Sequence, residues 1–504
     1  MKKNSKSKFT LIFKRTTLLV LIVLFISILT SCKKEETISD PIALGYIDNT
    51  AHIINKNNET LILDDYDQVL PIFDTYLMVK KDDKWGFISN TGKSVTDIKY
   101  SRISQMKENK AVVEYEGQTI IINNNGDILY TFENGYTSYS YFNENKLIIE
   151  KNGLLGYLTY NEQTNSFTII EPTYAFADHF YEGKAVVGQI KEDRVKYNYL
   201  NADGSLFYPE FTFDQADRFS EGFAKVGFVE YKLYCTECNT HYTRNPQNEN
   251  PFTCKYCNVE MTIEEEIYNY NYLKSELSSE NKLQYLTYSN NSEIITKQYG
   301  TRMQNGIIFV ANYIEYDVKD DNEATDYYKD YQFVTSTGEV KYELELSNYA
   351  KPTPQSFMPL YPLYLEDTFI FLNGSRRTSV WNIVRHTTYQ LFNDITNEYY
   401  EDYDFTNVSI TLSEEDELIK QFIEENDYNY KIASSYLGSP YEMGEFKFSS
   451  VLNQYISLSR IYGNKCGLIS ITTTPNTDPK PNNLDKQIVV VKYITSIIYD
   501  NIVY

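Results

Sequence analysis

The sequence is poor in the residues that most often carry catalysis and metal chemistry. Among 504 residues there are four histidines, six cysteines and two tryptophans. The histidines are scattered, at His52, His179, His241 and His386, and no serine or cysteine stands in the context of an activated nucleophile. A glycine-rich phosphate loop is also lacking. These absences predict a non-catalytic protein, although the many carboxylates leave a glycoside-hydrolysing pair open.

Basic residues are in the minority. The chain has 47 lysines and arginines against 69 aspartates and glutamates, a formal net charge of −22. Because this charge repels phosphate backbones, nucleic acid is excluded as an expected partner. The hydrophobic fraction of 42% is ample for a buried core, and the 48 tyrosines suit β-strands. The length fits either two or three domains or one repetitive array.

The chain has a single long apolar run. Residues 16–31 carry no charge and follow a segment with six lysines and arginines. Sixteen residues are fewer than the roughly 20 that a membrane-spanning helix needs, and the pattern is typical of a signal peptide. An uncleaved membrane anchor is the alternative. Either interpretation places the rest of the chain outside the cytoplasm.

The run ends in Leu29-Thr30-Ser31-Cys32, which resembles the lipobox of bacterial lipoproteins. The resemblance implies cleavage of a signal peptide at residues 1–31 and lipidation of Cys32, followed by a tether at residues 32–43. The expected location is the cell membrane or outer membrane, on an extracytoplasmic face. The leader holds six basic residues and no acidic ones, so its removal lowers the formal charge from −22 to −28.

A divergent repeat follows the tether. Apolar segments begin with steps of 34, 36, 38 and 39 residues, at Leu77, Ala111, Leu147, Ala185 and Ala224. Each begins a unit of short strands separated by turns such as Asn-Gly and Asp-Gly, which supply the positive φ of tight hairpins. Three or four short strands in about 40 residues predict propeller blades or the units of a β-array.

Residues 84–88 (KWGFI), 180–187 (FYEGKAVV) and 219–226 (FSEGFAKV) resemble the WG-repeat family, and so does 465–469 (KCGLI), in which Cys466 replaces tryptophan. The resemblance is good over residues 70–230 and patchy beyond. It implies an all-β repeat fold, often extracytoplasmic and without established chemistry, at residues 44–231. Within it, Trp85 and Gly86 are expected to be structural core residues of one repeat.

Further units open at residues 307, 369 and 456, so that residues 266–504 form divergent repeats and about eight units are expected in all. The C-terminus reads as the start of a unit and residues near Gly45 as the middle of one, which predicts closure of the chain ends. We therefore expect an all-β propeller of seven or eight blades, with an open curved β-array as the alternative. An amphipathic helix is predicted at residues 413–426, capped by Ser413.

The four remaining cysteines form two pairs. Cys235 and Cys238 are separated by two residues, as are Cys254 and Cys257, with fifteen residues between the pairs. This spacing resembles a zinc ribbon and predicts one tetrahedral zinc ion with a structural role, since four thiolates leave no open coordination position. Cross-paired disulfides, favoured by an oxidising compartment, are the alternative.

Two neighbouring residue types bear on the cysteine interpretation. Asn239 and Asn258 each follow a pair, and asparagine tolerates the left-handed conformation that a metal-binding turn needs there. His241 is expected to be a bystander, with a supporting or substitute-ligand role as the alternative.

Alignment of the units makes residues 232–265 an insertion at a hairpin tip, which a metal would turn into a rigid projection. The expected function is a lipid-anchored, non-catalytic binding or scaffolding module with a protein partner in the envelope or extracellular space. Binding or hydrolysis of carbohydrate or peptidoglycan fragments is the alternative.

Overall fold

The computed structural model describes residues 36–504 except for 134, 245–251, 293, 298–299, 305, 315–326, 346–358, 366–367, 376–379, 394–397, 409–441, 444, 461–464 and 476–486. All regular structure within these residues is β. None of the described segments is a helix long and apolar enough to cross a membrane. The lipobox and the predicted helix at residues 413–426 lie outside the described residues.

Thirty-four strands are described. The first sixteen are β1 (Pro41–Ile47), β2 (Thr50–Asn55), β3 (Thr60–Ile62), β4 (Gln68–Val69), β5 (Tyr76–Lys81), β6 (Lys84–Ser89), β7 (Arg102–Ile103), β8 (Lys110–Tyr115), β9 (Gln118–Asn123), β10 (Ile128–Thr131), β11 (Lys146–Lys151), β12 (Leu154–Asn161), β13 (Ser166–Tyr174), β14 (Phe176–Tyr181), β15 (Lys184–Lys191) and β16 (Arg194–Asn201). The others are β17 (Gln215–Ala216), β18 (Phe223–Cys235), β19 (Thr240–Arg244), β20 (Thr262–Lys274), β21 (Ile295–Lys297), β22 (Ile307–Ile314), β23 (Tyr327–Thr335), β24 (Val340–Glu345), β25 (Pro359–Leu365), β26 (Thr368–Ser375), β27 (Val380–Asn393), β28 (Glu398–Val408), β29 (Glu442–Met443), β30 (Lys447–Ser449), β31 (Gln454–Arg460), β32 (Cys466–Pro475), β33 (Gln487–Tyr493) and β34 (Asn501–Val503).

These strands form nine antiparallel sheets, numbered here along the chain. Their strand orders are β3-β2-β1-β34 (sheet 1), β4-β5-β6 (sheet 2), β10-β9-β8-β7 (sheet 3), β11-β12-β13 (sheet 4), β14-β15-β16 (sheet 5), β17-β18-β20-β21 with β19 on β18 (sheet 6), β22-β23-β24 (sheet 7), β25-β26-β27-β28 (sheet 8) and β29-β31-β32-β33 with β30 on β31 (sheet 9). The predicted all-β repeat fold is confirmed.

Sheet 1 is built from both ends of the chain. The C-terminal strand β34 pairs with β1, with Leu44 opposite Val503 and Tyr46 opposite Asn501. This pairing confirms the predicted association of the chain ends. The eight units counted in the sequence correspond to sheets 2 to 9, and the composite sheet 1 makes the ninth.

Apolar clusters lie between consecutive sheets, so the sheets pack face to face. Met78 and Phe87 of sheet 2, for example, pack on Ala111 and Val113 of sheet 3. Equivalent clusters join each neighbouring pair from sheet 1 to sheet 7 and also join sheet 9 to sheet 1. Strand β22 of sheet 7 contacts β25 of sheet 8. Strand β27 of sheet 8 contacts β29 of sheet 9. Every sheet therefore contacts the next, and the last contacts the first.

A carboxylate contact recurs at the joints between sheets. A glutamate in the turn before β8, β11 or β15 accepts a hydrogen bond from a backbone N–H of the corresponding turn in the next unit. The pairs are Glu108 with Asn145 at 2.8 Å, Glu144 with Gly183 at 2.9 Å, and Glu182 with Gly222 at 2.8 Å. These turn residues have positive φ, which directs their N–H groups toward the preceding unit. We call these contacts the turn clasps.

The Trp-Gly position explains why this residue pair marks the repeat. Trp85 is half-buried, and its N–H donates to the carbonyl of Tyr100 at 2.8 Å. A Cβ on Gly86 would lie 3.0 Å from the carbonyl oxygen of Asp97, because the chain crosses directly over the glycine. Cys466 takes the tryptophan's place in sheet 9, is fully buried, and donates its N–H to the carbonyl of Tyr499 at 2.8 Å.

Substitution at the equivalent glycine of sheet 4 tests this close approach. A Cβ on Gly156 would overlap the carbonyl of Ile170 and lie 2.7 Å from the nitrogen of Pro172, both backbone atoms that cannot turn away. We expect Gly156→Ala to lower the free energy of unfolding by about 1–3 kcal/mol, measured by denaturant titration. Gly467→Ala is the matched control with a smaller effect, since its nearest atom is a side-chain carbon of Tyr493 at 3.2 Å. Equal losses in the two variants would contradict the explanation.

Candidate metal centre

The cysteine pairs lie at the end of an extended hairpin in sheet 6. Strands β18 and β20 pair from Phe223 opposite Lys274 to Tyr234 opposite Thr262. The short strand β19 pairs with the far end of β18, where Cys235 lies opposite Thr240. The strands of the corresponding hairpins in sheets 2 to 5 (β5 and β6, β8 and β9, β11 and β12, β15 and β16) are only six to eight residues long, whereas β18 and β20 have 13 residues each. The extension begins where the strands of other units turn back.

The four sulfurs form one compact group. The Sγ atoms of Cys235, Cys238, Cys254 and Cys257 all lie within 4.8 Å of one another. Three of the distances are 3.3 Å between Cys235 and Cys257, 3.4 Å between Cys238 and Cys257, and 3.6 Å between Cys238 and Cys254. A tetrahedral zinc ion with Zn–S bonds of about 2.3 Å requires S···S edges of about 3.8 Å. All four cysteines are free thiols, so the arrangement is compatible with a metal site and differs from the disulfide alternative.

The turns after each pair have the conformation that the sequence predicts. Asn239 and Asn258 adopt φ values of 52° and 54°, in the left-handed region. The N–H of Asn258 donates to the carbonyl of Cys254 at 2.9 Å, which closes the second turn. In this turn the backbone N–H groups of Cys257 and Tyr256 point at the Cys254 sulfur and lower the pKa of its thiol to about 6. Such amide hydrogen bonds favour the thiolate that a metal requires.

Two other thiols of the group show the opposite tendency. Hydrogen bonds from the Cys238 thiol to Cys257 and then Cys254 raise the pKa of Cys238 to about 12. The pKa of Cys257 is also raised, chiefly by its hydrogen bond with Cys235. Several thiolates at this separation repel each other, so the group retains protons unless a cation neutralises it. The donor set therefore fits a divalent, thiophilic metal such as zinc.

An apolar cluster surrounds the sulfurs. Cys235 and Cys254 are buried with Leu233 and Met261, and the rings of Tyr231 and Phe252 pack 5.2 Å apart beside them. The cluster continues the apolar face of β18 into the tip of the hairpin. A closed set of four sulfurs backed by apolar side chains can hold a structural metal, but it offers no position for a substrate.

His241 lies on β19, beside the sulfur group. Its Nδ1 is 2.8 Å from Oε2 of Glu264, and its ring packs on Tyr234 with a centroid separation of 4.9 Å. Among the described residues, the group able to hold a metal consists of the four cysteines. The imidazole thus contributes to the pairing of β19 with the hairpin.

The structure also brings together a serine and a histidine that are far apart in the sequence. His179 lies between Ser140 and Asp178, with its Nε2 2.8 Å from the Ser140 Oγ. Ser140 and His179 are 39 residues apart, the separation of residues one repeat unit apart. Sheets 4 and 5 pack face to face, so residues separated by one repeat length come together between them. A separation of about 39 residues in the sequence could therefore have predicted this contact.

One family model matches a short part of the chain. The sequence model of the WG containing repeat family matches residues 85–118, which begin at Trp85 and Gly86 and run from sheet 2 into sheet 3. No curated protein matches the chain.

Several solved structures are similar to the chain at low identity. Kluyvelomyces marxianus Hsv2 is 8% identical, covers 73% of this chain and 95% of its own, and gives a TM-score of 0.25. Kluyveromyces lactis Hsv2p is 9% identical with the same coverages and a TM-score of 0.29. The tricorn protease is 8% identical over 88% of this chain and 46% of its own, with a TM-score of 0.20.

Proposed function

We propose that the protein is a lipid-anchored, extracytoplasmic binding or scaffolding protein of WG-repeat type. In this proposal its nine sheets are the blades of a closed propeller, and a zinc-bound hairpin is its contact element. The observation that carries the proposal is the group of four free thiols at the end of a hairpin that extends beyond its own sheet.

The propeller is supported by the order of contacts between sheets. A closed ring requires each sheet to touch the next and the last to touch the first, and the chain ends to share one sheet. The clusters between sheets and the pairing of β34 with β1 have this order. Closure also protects the edge strands that an open array would leave for aggregation.

The hairpin tip favours a protein partner. Tyr256 is 72% exposed, and Val259 and Ile263 are also exposed. Three exposed apolar side chains in so short a stretch match the apolar patches that proteins use to bind each other. The carbohydrate alternative calls instead for tyrosine rings around a pair of carboxylates. Zinc would keep the hairpin tip folded and thereby fix the shape of the contact surface, without taking part in a reaction.

A hairpin variant tests the contact role. Replacing residues 235–261 by Asn-Gly joins Tyr234 to Thr262, an existing cross-strand pair, through a two-residue turn. Crosslinking in intact cells is expected to trap a defined partner with the full chain but not with this variant or with Tyr256→Ser combined with Val259→Ser, which retains all four cysteines. Ile190→Ser is the matched control, since Ile190 is 67% exposed in sheet 5. Capture that survives both hairpin changes would reject the contact role.

Cys32→Ala tests the lipid anchor. Without the thiol that carries the lipid, the protein should move from the membrane pellet to the soluble fraction and lose incorporation of labelled palmitate. Cys238→Ser is the control and should retain both properties, because its thiol belongs to the hairpin. Membrane association that persists in Cys32→Ala would indicate an uncleaved anchor.

A further inference from the structure

A second polar group lies at the joint between sheets 4 and 5. Ser140 precedes β11, whereas Asp178 and His179 belong to β14. The Ser140 Oγ is 2.8 Å from Nε2 of His179, and Nδ1 of the same ring is 3.6 Å from Oδ1 of Asp178. The imidazole thus stands between a hydroxyl and a carboxylate, the order in which serine nucleophiles are activated on unrelated folds.

Contacts with sheet 4 hold both parts of this arrangement. On one side, the buried Ser138 donates its hydroxyl to the carbonyl of Ile148 at 2.7 Å and accepts the N–H of Ser140 at 3.2 Å. On the other side, the hydroxyl of Tyr157 donates to the carbonyl of Asp178 at 2.7 Å. The segment that carries the serine and the strand that carries the histidine are therefore each tied to sheet 4.

The ring of Tyr141 holds the imidazole in place. It stacks on His179 with centroids 4.0 Å apart and planes 13° apart. With one face covered and Nε2 within hydrogen-bond distance of Ser140, the imidazole has little freedom to rotate. The side chains of His179 and Asp178 are 15% and 38% exposed, so a small molecule can reach the group.

The carboxylate is ionised and a cation lies nearby. Burial of Asp178 opposes its ionisation, but hydrogen bonds from His179 and the charge of Arg218 outweigh it and lower the pKa of the Asp178 carboxyl. The guanidinium of Arg218 lies 4.2 Å from the ring centroid of Tyr181. The charge of Arg218 also acts on Tyr141, which stacks on His179, so a cation lies beside this polar group.

We propose that Ser140 is a nucleophile for acyl esters, with His179 as its general base and Asp178 as a positioning residue. The Ser140 Oγ forms a bond to the ester carbonyl carbon while its proton passes to Nε2 of His179. The C–O bond to the alcohol then breaks, and the leaving alkoxide takes the proton from His179. Water attacks the acyl-serine by the same route, which releases the carboxylic acid and restores Ser140. This activity is independent of the proposed binding role.

A fluorophosphonate probe on the full chain tests the nucleophile. Attack by Ser140 forms an O–P bond and expels fluoride as the P–F bond breaks, and peptide mapping should locate the adduct at Ser140. Ser140→Ala should lose the adduct and the hydrolysis of p-nitrophenyl acetate. His179→Gln should slow labelling by about 100-fold or more. Ser205→Ala is the matched control and should react normally, because the hydroxyl of Ser205 pairs with Asp203 and faces no imidazole.

The positioning role is tested by Asp178→Asn and Asp178→Glu. The asparagine should slow labelling, and the glutamate should restore part of the rate because it keeps the negative charge beside the imidazole. Circular dichroism and melting curves verify that each variant is folded. If Ser140→Ala does not fold, peptide mapping of the labelled unsubstituted chain decides whether Ser140 is the nucleophile. Ser140 left unlabelled in the folded protein, or labelled equally fast in His179→Gln, would overturn the proposal.

Discussion

Chelation of the proposed zinc ion should unfold the hairpin tip and leave the nine sheets intact. The sulfurs form the end of the apolar cluster around Leu233 and Met261. Without a cation the thiols take up protons and lose the metal bonds that join the two cysteine pairs, so the strands that carry them should separate. Metal binding contributes roughly 10–16 kcal/mol to the folding of zinc-finger peptides, more than this small cluster can replace. We expect one zinc per chain and, after chelation, loss of amide protection at residues 235–244 and 252–262.

Two variants in which serine replaces cysteine at different places test this prediction. Cys235→Ser with Cys254→Ser removes the two buried ligands and should reduce the zinc content from one per chain to none. Cys466→Ser, a buried thiol in sheet 9, should leave the zinc content unchanged. Elemental analysis measures the metal, hydrogen exchange the hairpin and circular dichroism the sheets. Cooperative melting of all sheets on chelation would show that the metal holds more than an insertion.

Loss of the C-terminal strand should destabilise the whole array. Tyr499 and Ile502 are buried between sheets 9 and 1, and a Cβ on Gly45 would overlap the Tyr499 ring. Asp500 adds an ion pair to Lys465 at 2.7 Å. Truncating buried aromatic and aliphatic side chains costs about 3–5 and 2–5 kcal/mol, respectively. Their combined loss approaches the 5–15 kcal/mol by which a typical domain is stable.

Two kinds of variant measure this effect. Deletion of residues 499–504 should abolish cooperative unfolding, and Tyr499→Ala with Ile502→Ala should lower the unfolding midpoint strongly. Asn501→Ala is the control within the same strand, since its side chain is exposed and its loss should be nearly neutral. A deletion variant that melts at the temperature of the full chain would mean that sheet 1 is dispensable.

The sequence predicts those features that depend on local chemistry. Asn239 and Asn258 predict turns with a left-handed residue, because few residue types tolerate that conformation. The cysteine spacing likewise predicts a common site, since both pairs sit on turns of one hairpin. The association of β34 with β1 could be predicted because each end of the chain lacks part of a repeat unit.

Contacts between units are harder to predict. The meeting of Ser140 with His179 depends on which faces of two sheets pack together, and neither residue type is unusual in its own segment of the chain. The same is true of Glu182, which looks like a solvated turn residue but binds the next unit through its carboxylate. Once the units are known to pack face to face, residues one repeat length apart in the sequence can be predicted to lie in contact.

The turn clasps determine where the array can accept new material. Glu221 and Gly222 lie directly before β18, whereas the cysteine segment follows the opposite end of that strand. Lengthening a hairpin at that opposite end leaves the linkage between neighbours undisturbed. Any other unit could therefore gain a projecting element by the same route, without a change in its contacts with the neighbouring units.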